Sequence, residues 1–116
     1  MSIYKGANVL VTGGTGMIGI QLVKLLLQEG AHVTVASMDN FIPAEWDSRV
    51  KALHGDLTEK EFCQTVVRGQ DFVFHLAGIK GSANIGQSQA ANFFVPTILM
   101  NTQIMEASRL AGVERF

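Results

Sequence analysis

Cysteine is almost absent from this chain of 116 residues: Cys63 stands alone, which excludes an internal disulfide. No histidine or basic partner lies at a meaningful spacing from it, so it reads as a small apolar residue on a helix rather than a nucleophile. Charge is also sparse, with 16% charged residues and a formal net charge of −1. The nine lysines and arginines are scattered, leaving no basic patch and arguing against nucleic acid as a partner. No apolar run is long enough to span a bilayer, which speaks against a membrane partner. The apolar stretch after Lys5 is broken by Thr12, Gly13, Gly14, Thr15 and Gly16, so no signal peptide is read and a cytoplasmic setting is expected. His32, His54 and His75 are far apart, and no His/Cys/Asp cluster has the spacing of a metal site. Repeats, low-complexity tracts and linkers are lacking too.

What is present is apolar. Hydrophobic residues make up 47% of the chain, as parallel strands covered on both faces require. The length suits one small domain. The most informative stretch is VLVTGGTGMIG, Val9 to Gly19, a β-branched strand followed by a glycine turn and a helix start. Gly13 allows a tight turn out of the strand, Gly16 lets backbone approach a pyrophosphate, and Gly19 is expected to let the helix pack closely on the sheet. Gly14 is an extra glycine. Around the helix start, Thr15, Gly16, Met17 and Ile18 would turn free N–H groups toward the phosphates of a dinucleotide.

Along the chain, strands are predicted over Asn8 to Thr12, His32 to Ser37, Val50 to His54 and Asp71 to Leu76. Helices are predicted from about Gly16 to Glu29, with Gly30 past its end, and from Glu59 to Arg68. Thr58 and Glu61 have the form of a capping box for the second of these. Gly78 to Gly86, with Gly81 and Ser82, reads as a loop. A long helix then runs to Ala111, closed by Gly112, and Pro96 either starts it or kinks it. His75, between Phe74 and Leu76 on a buried strand, is expected to be a core histidine satisfied by the backbone. Met100 and Met105 read as core filler.

This order is that of an α/β protein: a Rossmann-type three-layer α/β/α fold, a partial doubly wound parallel sheet with strand order 3-2-1-4. The fourth strand would then be an edge although DFVFHL reads as central, so something should pair with it. Val113 to Phe116 looks like the lead-in to a fifth strand, which suggests a truncated chain or proteolytic fragment rather than a naturally minimal protein or an intermolecular sheet. The exposed edge also makes a homo-oligomer a reading to test.

The G-x-x-G-x-x-G spacing after Thr12, with GDL at Gly55 to Leu57, FHLAG at Phe74 to Gly78 and LAGVERF at Leu110 to Phe116, resembles the extended short-chain dehydrogenase/reductase family. Its members include sugar-nucleotide epimerases, dehydratases and reductases. The resemblance covers the whole chain and implies an amino-terminal NAD(P)-binding half-domain over residues 1–116, with the catalytic and substrate-binding parts elsewhere. It assigns Asp56 and Leu57 to the adenine edge, and Leu76, Ala77 and Gly78 to the strand end beneath the cofactor. The acidic position that would receive the ribose hydroxyls falls on Ser37, with an acid two residues on at Asp39. Asp39 would repel a 2′-phosphate, and no Lys or Arg occurs from Val33 to Ser48 to clamp one, which favours NAD over NADP. As a plain turn residue beside Asn40, Asp39 would need no such role. Ile98 to Phe116 is similar to the matching helix of GDP-fucose synthases, and HLAG followed by Gly81 and Asn84 to their loop, a pointer to nucleotide-sugar substrates. Thr97 departs from that pattern, in which Asn is usual.

Catalysis in the family needs a Tyr and a Lys four residues later. The only tyrosine here is Tyr4, and Asn8 stands four residues beyond it, so no catalytic residue is assigned and the chain alone is expected not to turn over. The implied function is the NAD(P)-binding portion of a sugar-nucleotide epimerase, dehydratase or reductase. The alternative is a dinucleotide-binding or interaction module that never catalyses.

Overall fold

The computed structural model describes residues 2–39, 42–46, 48–78 and 90–116. Its elements run β1 (Asn8–Thr12), α1 (Met17–Gln28), β2 (His32–Ser37), β3 (Val50–His54), α2 (Lys60–Val67), β4 (Phe72–His75) and α3 (Ala90–Ala111). The four strands form one parallel sheet in the order β3-β2-β1-β4. Thr12 lies opposite Ala36 on β2 and His75 on β4, so these three strands end side by side. The Rossmann-type order read from the sequence is the order found.

Strand β1 is completely buried from Val9 to Thr12, as a central parallel strand must be. Side chains alternate across it. Leu10 enters a core with Val66 and Val67 of α2 and Ile104 of α3, whereas Val9 and Val11 enter a second core with Val23 and Leu26 of α1. Two helical layers therefore enclose the sheet. Burying one such side chain contributes roughly 1.5–3 kcal/mol relative to leaving it in water.

Two helices end in the same way. Beyond the C-cap Glu29 of α1, the N–H of Gly30 donates to the Leu27 carbonyl at 3.1 Å and that of Ala31 to Leu26 at 3.0 Å. After α3, Gly112 donates to Arg109 and Val113 to Ser108. Both are Schellman closures, with the glycine in the left-handed region at φ of 84° and 76°. The second turns the chain back along β4. There the Val73 N–H donates to the Arg115 carbonyl at 2.9 Å, and Phe72 and Arg115 form a parallel bridge. The expected partner of the β4 edge is thus the segment after α3.

Other expectations are corrected. Strand β4 is shorter by one residue at each end than Asp71 to Leu76, and Asp71, just before it, accepts the Asn8 N–H on its carboxylate at 2.8 Å. Helix α2 has Glu59 as N-cap, with no side-chain cap. The capping box of Thr58 and Glu61 does not form, since Asp56 takes both the Thr58 N–H (2.9 Å) and hydroxyl (2.8 Å) on its Oδ1. Of the two readings of Pro96, as helix start or interior kink, the structure excludes the first, since Pro96 lies inside α3 past its first turn. The predicted loop beyond Gly78, with Gly81, Ser82, Asn84 and Gly86, lies outside the described residues, as does Asn40.

Candidate functional site

Because every strand runs the same way, their carboxyl ends share one edge of the sheet, where open sheets of this kind bind ligands. A cleft of about 540 Å³ lies there. It gathers the glycine turn (Gly13, Thr15, Gly16), the end of β2 (Ser37, Asp39), the loop after β3 (Asp56, Leu57) and the end of β4 (Leu76, Ala77, Gly78). Met17 and Ile18 do not line it, being 88% and 73% exposed. Sequence reasoning missed Met38, Thr58 and Met100 as lining residues. For Met100 no signal distinguished a cleft wall from core, because it is both: it is 5% exposed and packs among the core residues under the sheet.

The glycine turn is built by contacts that a Cβ would violate. On Gly13 (φ 70°) it would stand 2.8 Å from the Ala77 nitrogen, and on Gly14 2.8 Å from both Val35 methyls. Gly14 is therefore required by its packing on β2. A Cβ on Gly19 would meet the Gly13 carbonyl oxygen at 2.3 Å, so this glycine brings α1 against the turn itself rather than against the sheet. Gly16 differs. Its nearest neighbour would be the Gly13 oxygen at 3.4 Å, and it borders the cleft, so its bareness leaves room for a ligand more than for protein. As N-cap of α1 it offers no side chain, and the first turn holds no acid. The early N–H groups of α1 are left for an anion at the positive end of the helix dipole.

At the end of β2 three side chains lock together. Thr15 donates its hydroxyl to Asp39 Oδ2 at 2.8 Å, Ser37 Oγ lies 3.1 Å from Thr15 Oγ1, and the Asp39 N–H donates to Ser37 Oγ at 2.9 Å. With Thr15 donating to the carboxylate, Ser37 is left to donate to Thr15. Asp39 is thus tied to the glycine turn and faces the cleft, so it is more than a solvated turn residue. The first guanidinium after it in sequence, that of Arg49, donates to the Leu27 carbonyl at the end of α1.

The third wall follows β3. Leu57 is 5% exposed, with its side chain in the core and its carbonyl accepting the Cys63 thiol at 3.1 Å. Burial, and secondarily the Asp56 charge, push the Cys63 thiol up to about 11, so it stays protonated and unreactive.

At the fourth wall, Thr12 Oγ1 accepts the Ala77 N–H at 3.2 Å and lies 2.7 Å from His75 Nδ1. His75 Nε2 lies 2.7 Å from Asn101 Oδ1 on α3. His75 is accordingly half-buried and held by side chains, which corrects the expectation of backbone partners. Among the described residues no group of His, Cys, Asp or Glu could hold a metal ion, and no helix is long and apolar enough to cross a membrane.

Comparison with known proteins places this geometry. Over 113 residues the chain is 33% identical to a 3 beta-hydroxysteroid dehydrogenase/Delta 5→4-isomerase of Mycobacterium tuberculosis, covering 94% of this chain and 30% of that protein. The epimerase Mth375 of Methanothermobacter thermautotrophicus superposes with a TM-score of 0.86 at 29% identity, over 97% of this chain and 34% of that one. DesIV, a dTDP-glucose 4,6-dehydratase of Streptomyces venezuelae solved with NAD bound, superposes with a TM-score of 0.78 at 26% identity, over 93% and 37% of the two chains. The chain spans about a third of the length of the proteins it matches. The profile of the NAD dependent epimerase/dehydratase family matches residues 9–116, and the chain belongs to that family.

Proposed function

We propose that this chain is the dinucleotide-binding portion of an enzyme acting on a nucleotide sugar, with NAD preferred to NADP. The observation that carries the reading is the joining of Thr15, Ser37 and Asp39 across one cleft with the bare Gly16 and the start of α1. In this arrangement the helix start receives the pyrophosphate, and Ser37 and Asp39 receive the adenosine ribose hydroxyls. A 2′-phosphate would meet the Asp39 carboxylate, and among the described residues no Lys or Arg lines the cleft to offset that repulsion. Asp56 has one oxygen engaged by Thr58, and its carboxylate is a natural acceptor for an exocyclic amine of adenine. When bound, the dinucleotide supplies the hydride acceptor. This chain's residues hold and orient it, and we assign no proton transfer to them, because Tyr4 has no lysine four residues on.

The choice of nucleotide sugar is supported by the dTDP-glucose dehydratase among the structural neighbours, while the hydroxysteroid relative marks the main competing substrate class. Phe94, Val95 and Ile98, exposed on α3, are consistent with self-association, which sedimentation at rising concentration checks. Calorimetric titration of the chain with NADH and with NADPH tests the central claim. Tighter binding of NADH is expected. Equal or stronger binding of NADPH overturns the cofactor preference, and binding of neither overturns the assignment of the cleft.

A further inference from the structure

With a neutral imidazole and the Asn101 oxygen facing it, the hydrogen bonds at the β4 wall run in one direction. Asn101 presents Oδ1, an acceptor, to His75 Nε2, so that nitrogen carries the proton and Nδ1 is the bare acceptor. Thr12 must then donate to Nδ1, which leaves its oxygen lone pairs for the Ala77 N–H. Each group fixes the role of the next, from α3 through the imidazole and a fully buried threonine to the backbone beneath the cleft. The recipient matters because Ala77 N is the atom nearest to where a Cβ on Gly13 would stand, so the glycine turn and the β4 end meet backbone to backbone at this point. Thr12 also fixes the neighbouring residue, its carbonyl accepting the Leu76 N–H at 3.1 Å.

We propose that Thr12, His75 and Asn101 are positioning residues for the bound dinucleotide, a one-way chain of hydrogen bonds that sets the Ala77 backbone against the glycine turn. The inference rests on the reading of the cleft as a dinucleotide site. None of the three residues lines the cleft, so their effect reaches the ligand only through Ala77 and the turn. The Phe116 ring, with its centroid 6.0 Å from that of His75, packs on the imidazole and limits its freedom to turn away.

The test compares wild-type chain with Thr12→Val, Thr12→Ser and Asn101→Leu, reading NADH affinity by calorimetry and hydrogen exchange of the Ala77 amide by NMR. Thr12→Val keeps the shape and removes the hydroxyl; Thr12→Ser keeps the hydroxyl. Thr12→Val and Asn101→Leu are expected to weaken NADH binding by about three- to tenfold and to speed Ala77 exchange by a similar factor. Thr12→Ser should restore both. Wild-type values in Asn101→Leu, or equal damage from Thr12→Ser and Thr12→Val, overturn the proposal. Should Asn101→Leu fail to melt cooperatively, the two Thr12 variants decide it alone. A wild-type chain that binds no NADH overturns the dinucleotide reading by itself, and the exchange rates still tell whether the hydrogen-bond chain holds Ala77.

Discussion

The two walls that meet at the end of β1 are made in opposite ways. On the α1 side the geometry is set by missing side chains: Gly13, Gly14 and Gly19 each sit where a Cβ would strike neighbouring atoms. On the side of β3 and β4 it is set by side chains that are present: Thr12, His75 and Asn101 behind the β4 end, and Asp56, Thr58 and Cys63 around the loop after β3. The first wall is therefore intolerant of additions, and the second chiefly of deletions, although a Cβ on Gly55 after β3 would also meet the Phe62 ring at 2.5 Å. A close-packed turn excludes volume absolutely, whereas a hydrogen-bonded wall loses its shape one partner at a time.

The largest effect is expected from adding a branched side chain at Gly19. With a Cβ already 2.3 Å from the Gly13 oxygen, Gly19→Val should cost more than about 3 kcal/mol and abolish the cooperative thermal transition, since no flexible neighbour can give way. A normal melt would show that α1 can lift off the turn and would break the comparison.

The hydrogen-bonded side is probed next by pH. The Cys63 thiol in the folded chain is held at about 11, above its ordinary value of 9.0, so its contribution is complete below pH 9 and is lost as pH rises from 9 through 11. That loss should be on the order of 2–3 kcal/mol in urea titrations, and it should vanish in Cys63→Ala. An identical slope in both chains would mean that burial and the Asp56 charge do not hold the thiol above its ordinary value.

Gly14→Ala should cost about 1–3 kcal/mol, because the new methyl meets both Val35 methyls at 2.8 Å. Here the obstacle is a side chain, so Val35→Ala in the same chain should recover part of the loss in a double-mutant cycle. Additive losses would place the strain in the backbone instead. Smallest in stability is Gly16→Ala, expected within about 0.5 kcal/mol of wild type in the same melts. Its NADH affinity should nonetheless fall by about tenfold or more, as the methyl enters space kept for the ligand. Unchanged affinity would show that Gly16 is only part of the scaffold.

The difference between the walls also explains what the sequence disclosed. Volume excluded by glycine is written locally, in the run from Val9 to Gly19, and the strand order followed from period and connection rules. Ser37 and Asp39 could be placed at the end of β2, but that Thr15 would join them depends on how the turn folds over the strand. His75 was misjudged because its partners lie 63 residues before it in Thr12 and 26 after it in Asn101, and no local pattern links them. The capping box failed for a local reason: Asp56, two residues before Thr58, accepts the Thr58 N–H that the Glu61 carboxylate would have received. Gly19 was seen as a close approach, but the surface it approaches could not be read from spacing alone.

Strand β1 lends residues to both cores and carries the cleft at its tip. Neither layer can come apart without disturbing it, so opening should be concerted and its amides should exchange only through global unfolding. A ligand seated at that tip is then coupled to the whole domain rather than to one loop. Saturating the site at about a hundred times its dissociation constant should slow exchange along all of β1 by about two orders of magnitude.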